Sequence, residues 1–453
     1  KGSSKMFRVL ILLEFVVVAS SRNFILIIDG GSSGSRIHCL PYDNASRRNG
    51  LPEFDHKTLN YKVKPGLSSY AEDPGKAGES ISSLLDWAKK ESVPPAEWSS
   101  TPVYLKATAG LRSIDQVKAS KVLESCREVM AKSPFVFEQS WARIISGVDE
   151  GKYAWIAANY LLKFIHSIDI HDKVSNFPVG IMEMGGGSLQ VSFLANSSKK
   201  YDEIESFQLG DQIYDLVAYS FLGYGLEDVQ MKFIKSNTLQ THPCYPSGYA
   251  FKDIPGKGDF NLCLEKMKSV VPTEIAGIQN VSFIAIENFY YTSLFFGIDE
   301  LKPELVLPTL RDKASEFCSS KWSDLQQRYN QTNGAGEELH KYCFSAAYII
   351  TLLGSSNGLG FADPLTNVKI LRDIDGVSID WALGSAIYEV MKPKLGLLNL
   401  PLSISSIPAI SALFLFVSLT ALLYLKRRRR NCCSFRFSFP EFVRLRSEKN
   451  CIQ

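Results

Sequence analysis

The chain has 453 residues, of which 45% are hydrophobic and 21% charged; this is an ordinary globular balance, too long for one compact core, so two domains are expected. The net charge of +3 hides a split, because residues 426–453 carry nine Lys or Arg against two Asp or Glu, leaving residues 1–425 mildly acidic. An acidic body excludes a general nucleic-acid binder, which needs a basic face.

In chain order, residues 1–21 come first. Lys5 and Arg8 precede the run VLILLEFVVVAS, which reads as a signal or signal-anchor segment interrupted by Glu14. Residues 24–36, FILIIDGGSSGSR, form a short apolar strand that ends in an acid, Asp29, and runs into glycines and serines. Helical spacing follows over 80–90 and 116–130, with a strand at 102–107 between them. In residues 145–160, ISGVDEGKYAWIAANY, a glycine-containing turn precedes an amphipathic helix predicted over 149–164. Glu150 falls near its start, where the helix dipole favours a carboxylate whether or not it takes part in catalysis.

Residues 179–190, VGIMEMGGGSLQ, repeat the first pattern with Glu183 as the strand-ending acid, and 181–193 reads as strand. Residues 235–259 are rich in turn formers and read as a surface insertion. The spans 324–328 and 344–353 read as helices, the latter strongly apolar, and 371–391 as a strand and turn leading into a helix. Alternating strands and helices imply mixed α/β layers. Residues 404–425 carry no charge and are followed at once by KRRRR. That is the expected pattern of a helix crossing a bilayer of about 30 Å with its basic flank on the cytoplasmic side. The body then lies on the luminal or extracellular side, where cysteines pair. Among the six cysteines of the body, Cys244–Cys263 and Cys318–Cys343 are the nearest neighbours and the expected pairs, out of fifteen full connectivities. Asn44, Asn196, Asn280 and Asn330 begin glycosylation sequons.

The repeated strand–acid–glycine pattern carries the functional reading. Glycines permit positive φ and leave no Cβ in the way, so such a turn aims backbone N–H groups at an anion. An acid held beside that anion is unfavourable unless a cation lies between them. Two such loops facing each other grip a metal–phosphate group. Hydrolysis of a phosphoanhydride also needs an aligned water and a base, and Glu150 is the candidate base.

At this point residues 145–160 resemble the signature of apyrases, the nucleoside triphosphate diphosphohydrolases, a family that includes Golgi guanosine diphosphatases. The match runs through Gly147, Glu150, Gly151, Tyr153, Trp155, Asn159 and Tyr160. Four further stretches resemble the family's other regions in order: DGGSSGSR from Asp29, ATAGLR from Ala107, EMGGGSLQ from Glu183 and DWALGS from Asp380. The resemblance implies two ribonuclease-H-like domains of the actin, sugar-kinase and heat-shock-chaperone type, plus the C-terminal transmembrane helix. The first domain covers 22–146 and 373–400 and the second 147–372, followed by the span 404–425 and a cytoplasmic tail at 426–453.

The resemblance implies roles as well. Glu150 is the base, with Ser188 and Gln190 positioning the water. Asp29 and Glu183 hold Ca²⁺ or Mg²⁺ through its bound waters, with Thr108 and Trp381 nearby. Ser32, Ser33, Gly34, Arg36, Gly186 and Gly187 line the phosphates. Arg112 is either a functional charge or a structural tie. Phe344 and Tyr348 are candidates to stack on the nucleobase, or else core residues. The chain departs from the commonest pattern at Glu183, where Asp is usual, at Gly187 (Ala) and at Leu189 (Thr). The implied partners are nucleoside tri- and diphosphates and, through 404–425, a lipid bilayer. The alternatives are a kinase-like or chaperone-like ATPase of the same fold, and a membrane protein that binds nucleotide without turnover.

Overall fold

The computed structural model describes residues 22–43, 51–55, 59–165, 178–196, 198–272, 275–278, 281–299, 302–329, 338–354, 358–361 and 368–392. The segment 1–21, the span 404–425, the tail 426–453 and the last part of 373–400 lie outside them. Among the described residues no helix is long and apolar enough to cross a membrane.

Two six-stranded sheets organise the described chain. The first contains β1 (Asn23–Gly30), β2 (Ser35–Asp43), β3 (Glu53–Phe54), β4 (Leu59–Val63), β5 (Val103–Ala107) and β6 (Ala142–Ile144), in the order β3-β2-β1-β5-β6 with β4 also on β2. The second contains β7 (Gly180–Met184), β8 (Ser188–Leu194), β9 (Glu205–Leu209) and β10 (Gln212–Leu222). It continues, past a small hairpin of β11 (Ala250–Phe251) and β12 (Ile254–Pro255), with β13 (Phe283–Glu287) and β14 (Val368–Ile370), in the order β14-β13-β7-β8-β10-β9. Each sheet has the same plan at its centre. An antiparallel hairpin, β1–β2 or β7–β8, is extended on the side of its first strand by two parallel strands, β5–β6 or β13–β14. The single strand expected over 181–193 is therefore a hairpin, broken by the glycines at 185–187.

Helices fill three layers. α1 (Pro74–Trp87), α2 (Ala109–Arg112) and α3 (Gln116–Lys132) belong to the first half of the chain, and α4 (Gly147–Leu161) leads into the second. α5 (Leu226–Ser236), α6 (Phe260–Met267), α7 (Asn288–Phe295), α8 (Pro303–Ser319), α9 (Trp322–Tyr329) and α10 (Tyr342–Gly354) follow. A hairpin of β15 (Asp373–Ile374) and β16 (Val377–Ser378) then leads to α11 (Trp381–Met391).

The side-chain alternation of β1 shows how one strand serves two layers. Ile25 and Ile27 join a middle core with α4 and α11, while Phe24, Leu26 and Ile28 join an outer core with α1 and α3. A strand covered on both faces must be apolar throughout, and each such side chain contributes roughly 1.5–3 kcal/mol on burial. The second sheet likewise has its own outer core, built on α5–α8 and α10. In the middle layer α4 packs on β7, β8 and β10, while α11 packs on α4 and β1. Gly384 makes that crossing possible, since a Cβ there would lie 1.8 Å from the Tyr153 carbonyl oxygen.

The 235–259 insertion is not simply superficial. Within it His242, Cys244 and Tyr245 are wholly buried, Cys244 is bonded to Cys263, and Tyr245 stacks on Phe251. Cys318 is bonded to Cys343, so both expected pairs are present. Cys39 and Cys126 are buried free thiols, whose burial pushes them up to about 11 and about 12.

Candidate active site

The two hairpin turns meet in one cleft. In the first sheet Asp29 stands opposite Arg36, and Gly31–Gly34 form the turn. In the second Glu183 stands opposite Gln190 across the turn at 185–187. A Cβ on Gly186 would lie 3.1 Å from Ser32 Oγ, and one on Gly187 would lie 2.9 Å from Ala109 Cβ, so the loops face each other directly. A Cβ on Gly34 would lie 2.6 Å from the Val63 carbonyl oxygen. None of these loop glycines has positive φ. Of the two reasons expected for glycine here, close approach applies and positive φ does not.

The cleft is lined by Asp29, Ser32, Ser33, Gly34, Arg36, Thr108, Glu150, Glu183, Gly186, Gly187, Ser188 and Trp381, all candidates from the sequence. Gln190 lies just behind, bonded to Ser188. Asp380, the first residue of the DWALGS stretch, also lines it, as do Lys62 and Glu287, which no motif had marked. Lys62 Nζ donates to Ser33 Oγ at 3.5 Å.

Glu150 is set by its helix. The Ser146 side chain caps α4 by accepting from the Asp149 N–H at 2.9 Å, and Glu150 follows in the first turn, 7% exposed. Its Oε2 accepts from Arg112 Nη2 at 2.8 Å and from Gln190 Nε2 at 3.4 Å. The same two donors reach Ser188 Oγ, Arg112 at 3.1 Å and Gln190 at 2.7 Å. Arg112 Nη1 donates to the Ile145 carbonyl at 3.1 Å, and Gln190 Nε2 also reaches Ser220 Oγ at 3.3 Å. Arg112 thus ties the Ile145 carbonyl, Glu150 and Ser188 together. A hydroxyl has two acceptor lone pairs and one proton. With both lone pairs of Ser188 engaged, its proton must be donated elsewhere. Burial raises the Glu150 carboxyl above its usual range, while the Arg112 guanidinium opposes the shift.

The remaining acids are poorly compensated. Burial, then the charges of Asp380 and Glu150, hold Asp29 well above the usual carboxylate range. Burial and the neighbouring Glu150 and Glu287 do the same to Glu183. Asp29 Oδ1 and Glu183 Oε2 are buried without a hydrogen-bond partner. Asp380 is better engaged: it caps α11 by accepting from the Ala382 N–H at 2.8 Å and lies 3.6 Å from His38 Nε2. Orphaned, hard carboxylate oxygens suit Ca²⁺ and Mg²⁺ alike. Among the described residues no three His, Cys, Asp or Glu side chains converge closely enough to ligate an ion directly.

Two candidates are displaced. Phe344 and Tyr348 are fully buried on α10 in the second outer core. Phe344 packs edge-on to Phe233, and the Tyr348 hydroxyl donates to the Tyr224 carbonyl oxygen at 2.8 Å. Neither offers a face to a nucleobase. The apolar run through 352 carried the signal, since a helix hydrophobic all round is a core helix. Glu287 carried a signal too: FIAIE at Phe283–Glu287 is a third apolar strand ending in an acid, lacking only the glycines after it. Its backbone adopts φ 60° and ψ −120°, an unusual region for a residue with a Cβ, at a cost of about 1–3 kcal/mol.

Residues 16–403 match the GDA1/CD39 (nucleoside phosphatase) family. Similar proteins include probable apyrase 5 of Arabidopsis thaliana, 33% identical over 83% of each chain. Another is the nucleoside diphosphate phosphatase ENTPD5 of Homo sapiens, 28% identical over 82% of this chain and 88% of that protein. A crystal structure of nucleoside triphosphate hydrolases from Neospora caninum superposes with a TM-score of 0.58 at 16% identity, over 82% of this chain and 92% of that one. The two-domain α/β fold is therefore shared.

Proposed function

The chain belongs to the GDA1/CD39 (nucleoside phosphatase) family and is an apyrase-type nucleoside phosphohydrolase; from that premise we propose that it removes terminal phosphate from nucleoside tri- and/or diphosphates with a divalent cation and a water activated by Glu150. One observation carries this reading. Ser188 and Glu150 are held side by side by the same two donors, Arg112 and Gln190, at the edge of a cleft where both hairpin turns meet.

The residues divide the work. Backbone N–H groups of the two turns, with Ser32, Ser33, Arg36 and Lys62, bind the phosphate oxygens. Ser188 donates its free proton to a lone pair of the water and orients it. Glu150 accepts a proton from that water as the water oxygen bonds to the terminal phosphorus. The bond from that phosphorus to the bridging oxygen breaks, and the shortened nucleotide leaves with the electron pair. Glu150 then returns its proton to solvent. Asp29 and Glu183 would hold the cation through its waters, near Thr108 and Trp381; when bound, it neutralises charge on the phosphates.

Phosphate release from ATP, ADP, UDP and GDP, with and without chelator, tests the reading. Glu150→Gln is expected to lower kcat by about 10²–10⁴-fold with the fold intact. Glu150 must be ionised to act, and burial raises its pKa. The rate should therefore fall on acidification at a pH above the ordinary carboxylate range of about 4.3, and that limb should vanish in the variant. Full activity in Glu150→Gln or in chelator would sink the mechanism. It would also fail if the chain bound nucleotide without releasing phosphate.

We further propose that the two halves, 22–146 with 373–400 and 147–372, are ribonuclease-H-like domains of the actin type. Their matched central strand order supports this. We place the body on the luminal or extracellular side of a membrane, anchored by 404–425 with the tail 426–453 cytoplasmic. Support comes from the uncharged run ending in KRRRR and from two disulfides in the body. Protease digestion of intact vesicles should remove the tail and spare the body; the reverse result would invert the topology.

A further inference from the structure

We propose that Glu287 is a further acidic anchor for the hydrated divalent cation, acting from the second sheet beside Glu183. This inference rests on the cation-dependent reading above and adds a positioning residue to it.

The placement is the first ground. β13 lies parallel to β7, with Ile286 level with Glu183 and Glu287 level with Met184. Glu287 therefore leaves its strand one step beyond Glu183, on the adjoining strand, and lines the same cleft. The next residue fixes the junction, since Asn288 Nδ2 donates to the carbonyls of Met184 and Gly185 at 2.8 and 3.2 Å. Glu287 thus stands on the frame that holds the second phosphate turn.

The second ground is what Glu287 does not do. It is the residue before α7, yet its side chain makes no capping bond. Among the described residues no ion pair is formed by it. Its backbone keeps a positive φ that glycine would adopt freely. A strained residue whose carboxylate serves neither cap nor pair is a poor structural element.

The third ground is independent of Glu287. Glu183 is 6% exposed and its Oε2 has no partner. A buried, unpartnered carboxylate oxygen in this cleft suits a divalent cation. A further carboxylate beside a phosphate site repels the substrate unless a positive charge lies between them. Asp29, Glu183 and Glu287 line one cleft from two sheets.

The test uses Mn²⁺ as the probe. Its uptake by the full chain is followed by electron paramagnetic resonance, alone and with a non-hydrolysable nucleoside diphosphate analogue. Glu287→Gln should weaken Mn²⁺ binding about tenfold, the usual effect of losing an outer-shell partner. Glu287→Gly should weaken it as much while raising Tm in chelator, because the strained φ is relieved. Unchanged Mn²⁺ affinity in Glu287→Gln overturns this inference and leaves the cation-dependent reading standing. So does weaker analogue binding without Mn²⁺, which would make Glu287 a latch for Lys62 or Arg36. A lowered Tm in Glu287→Gly would make the residue structural and overturn it as well. No Mn²⁺ uptake by the unaltered chain, with or without analogue, overturns the cation-dependent reading itself.

Discussion

The two hairpins place the same kind of acid at the same point, and the rows of residues beside those acids differ. Across the first sheet the row runs Asp29, Arg36, Lys62. Across the second it runs Glu183, Gln190, Ser220. One row follows its acid with two cations and the other with two neutral hydrogen-bonding groups. Cations next to a phosphate turn grip an anion. In the second row the Gln190 amide donates to Glu150, Ser188 and Ser220, so the neutral groups are tied to those side chains. A repeated backbone plan therefore carries two different rows of residues opposite its acids.

That contrast can be broken experimentally. Gln190→Leu removes the shared donor of the neutral row. It should lower kcat by about a hundredfold with little change in KM, as expected when an interaction made in the transition state is lost; a change confined to KM would place Gln190 in substrate binding. Arg36→Gln removes a cation from the other row. It should raise KM about tenfold while kcat changes less, and steady-state kinetics on ADP would reveal the opposite split if the rows have been assigned the wrong way round. Ser220→Ala removes only a 3.3 Å contact to Gln190. A loss of about threefold in kcat is expected, in line with one weak neutral hydrogen bond; a loss as large as that of Gln190→Leu would mean that Ser220 touches the reacting atoms.

Much of the site could be read before any coordinates. The strands that carry Asp29 and Glu183 one residue before their ends were marked by apolar runs and following glycines, and Glu150 by its place in a helix start. These are local features, and local sequence is where they are written. Glu287 was harder to read because no glycine follows it, although FIAIE repeats the strand–acid pattern. Phe344 and Tyr348 were misleading for the opposite reason. Their aromatic chemistry suits a nucleobase, but α10 is covered on every face by its neighbours, and burial depends on what the rest of the chain packs against.

By itself the sequence determined the elements: the acid-ended strands, the glycine turns, the capped helix carrying Glu150 and the family they jointly resemble. These follow from periodicity and turn chemistry, which act over a few residues. Tertiary structure alone decided which acids share a cleft and that Arg112 and Gln190 both span Glu150 and Ser188. Those facts depend on sheet register and on the crossing of α4 with α11 through Gly384. Contacts between residues so far apart in the chain arise only once the middle layer has closed.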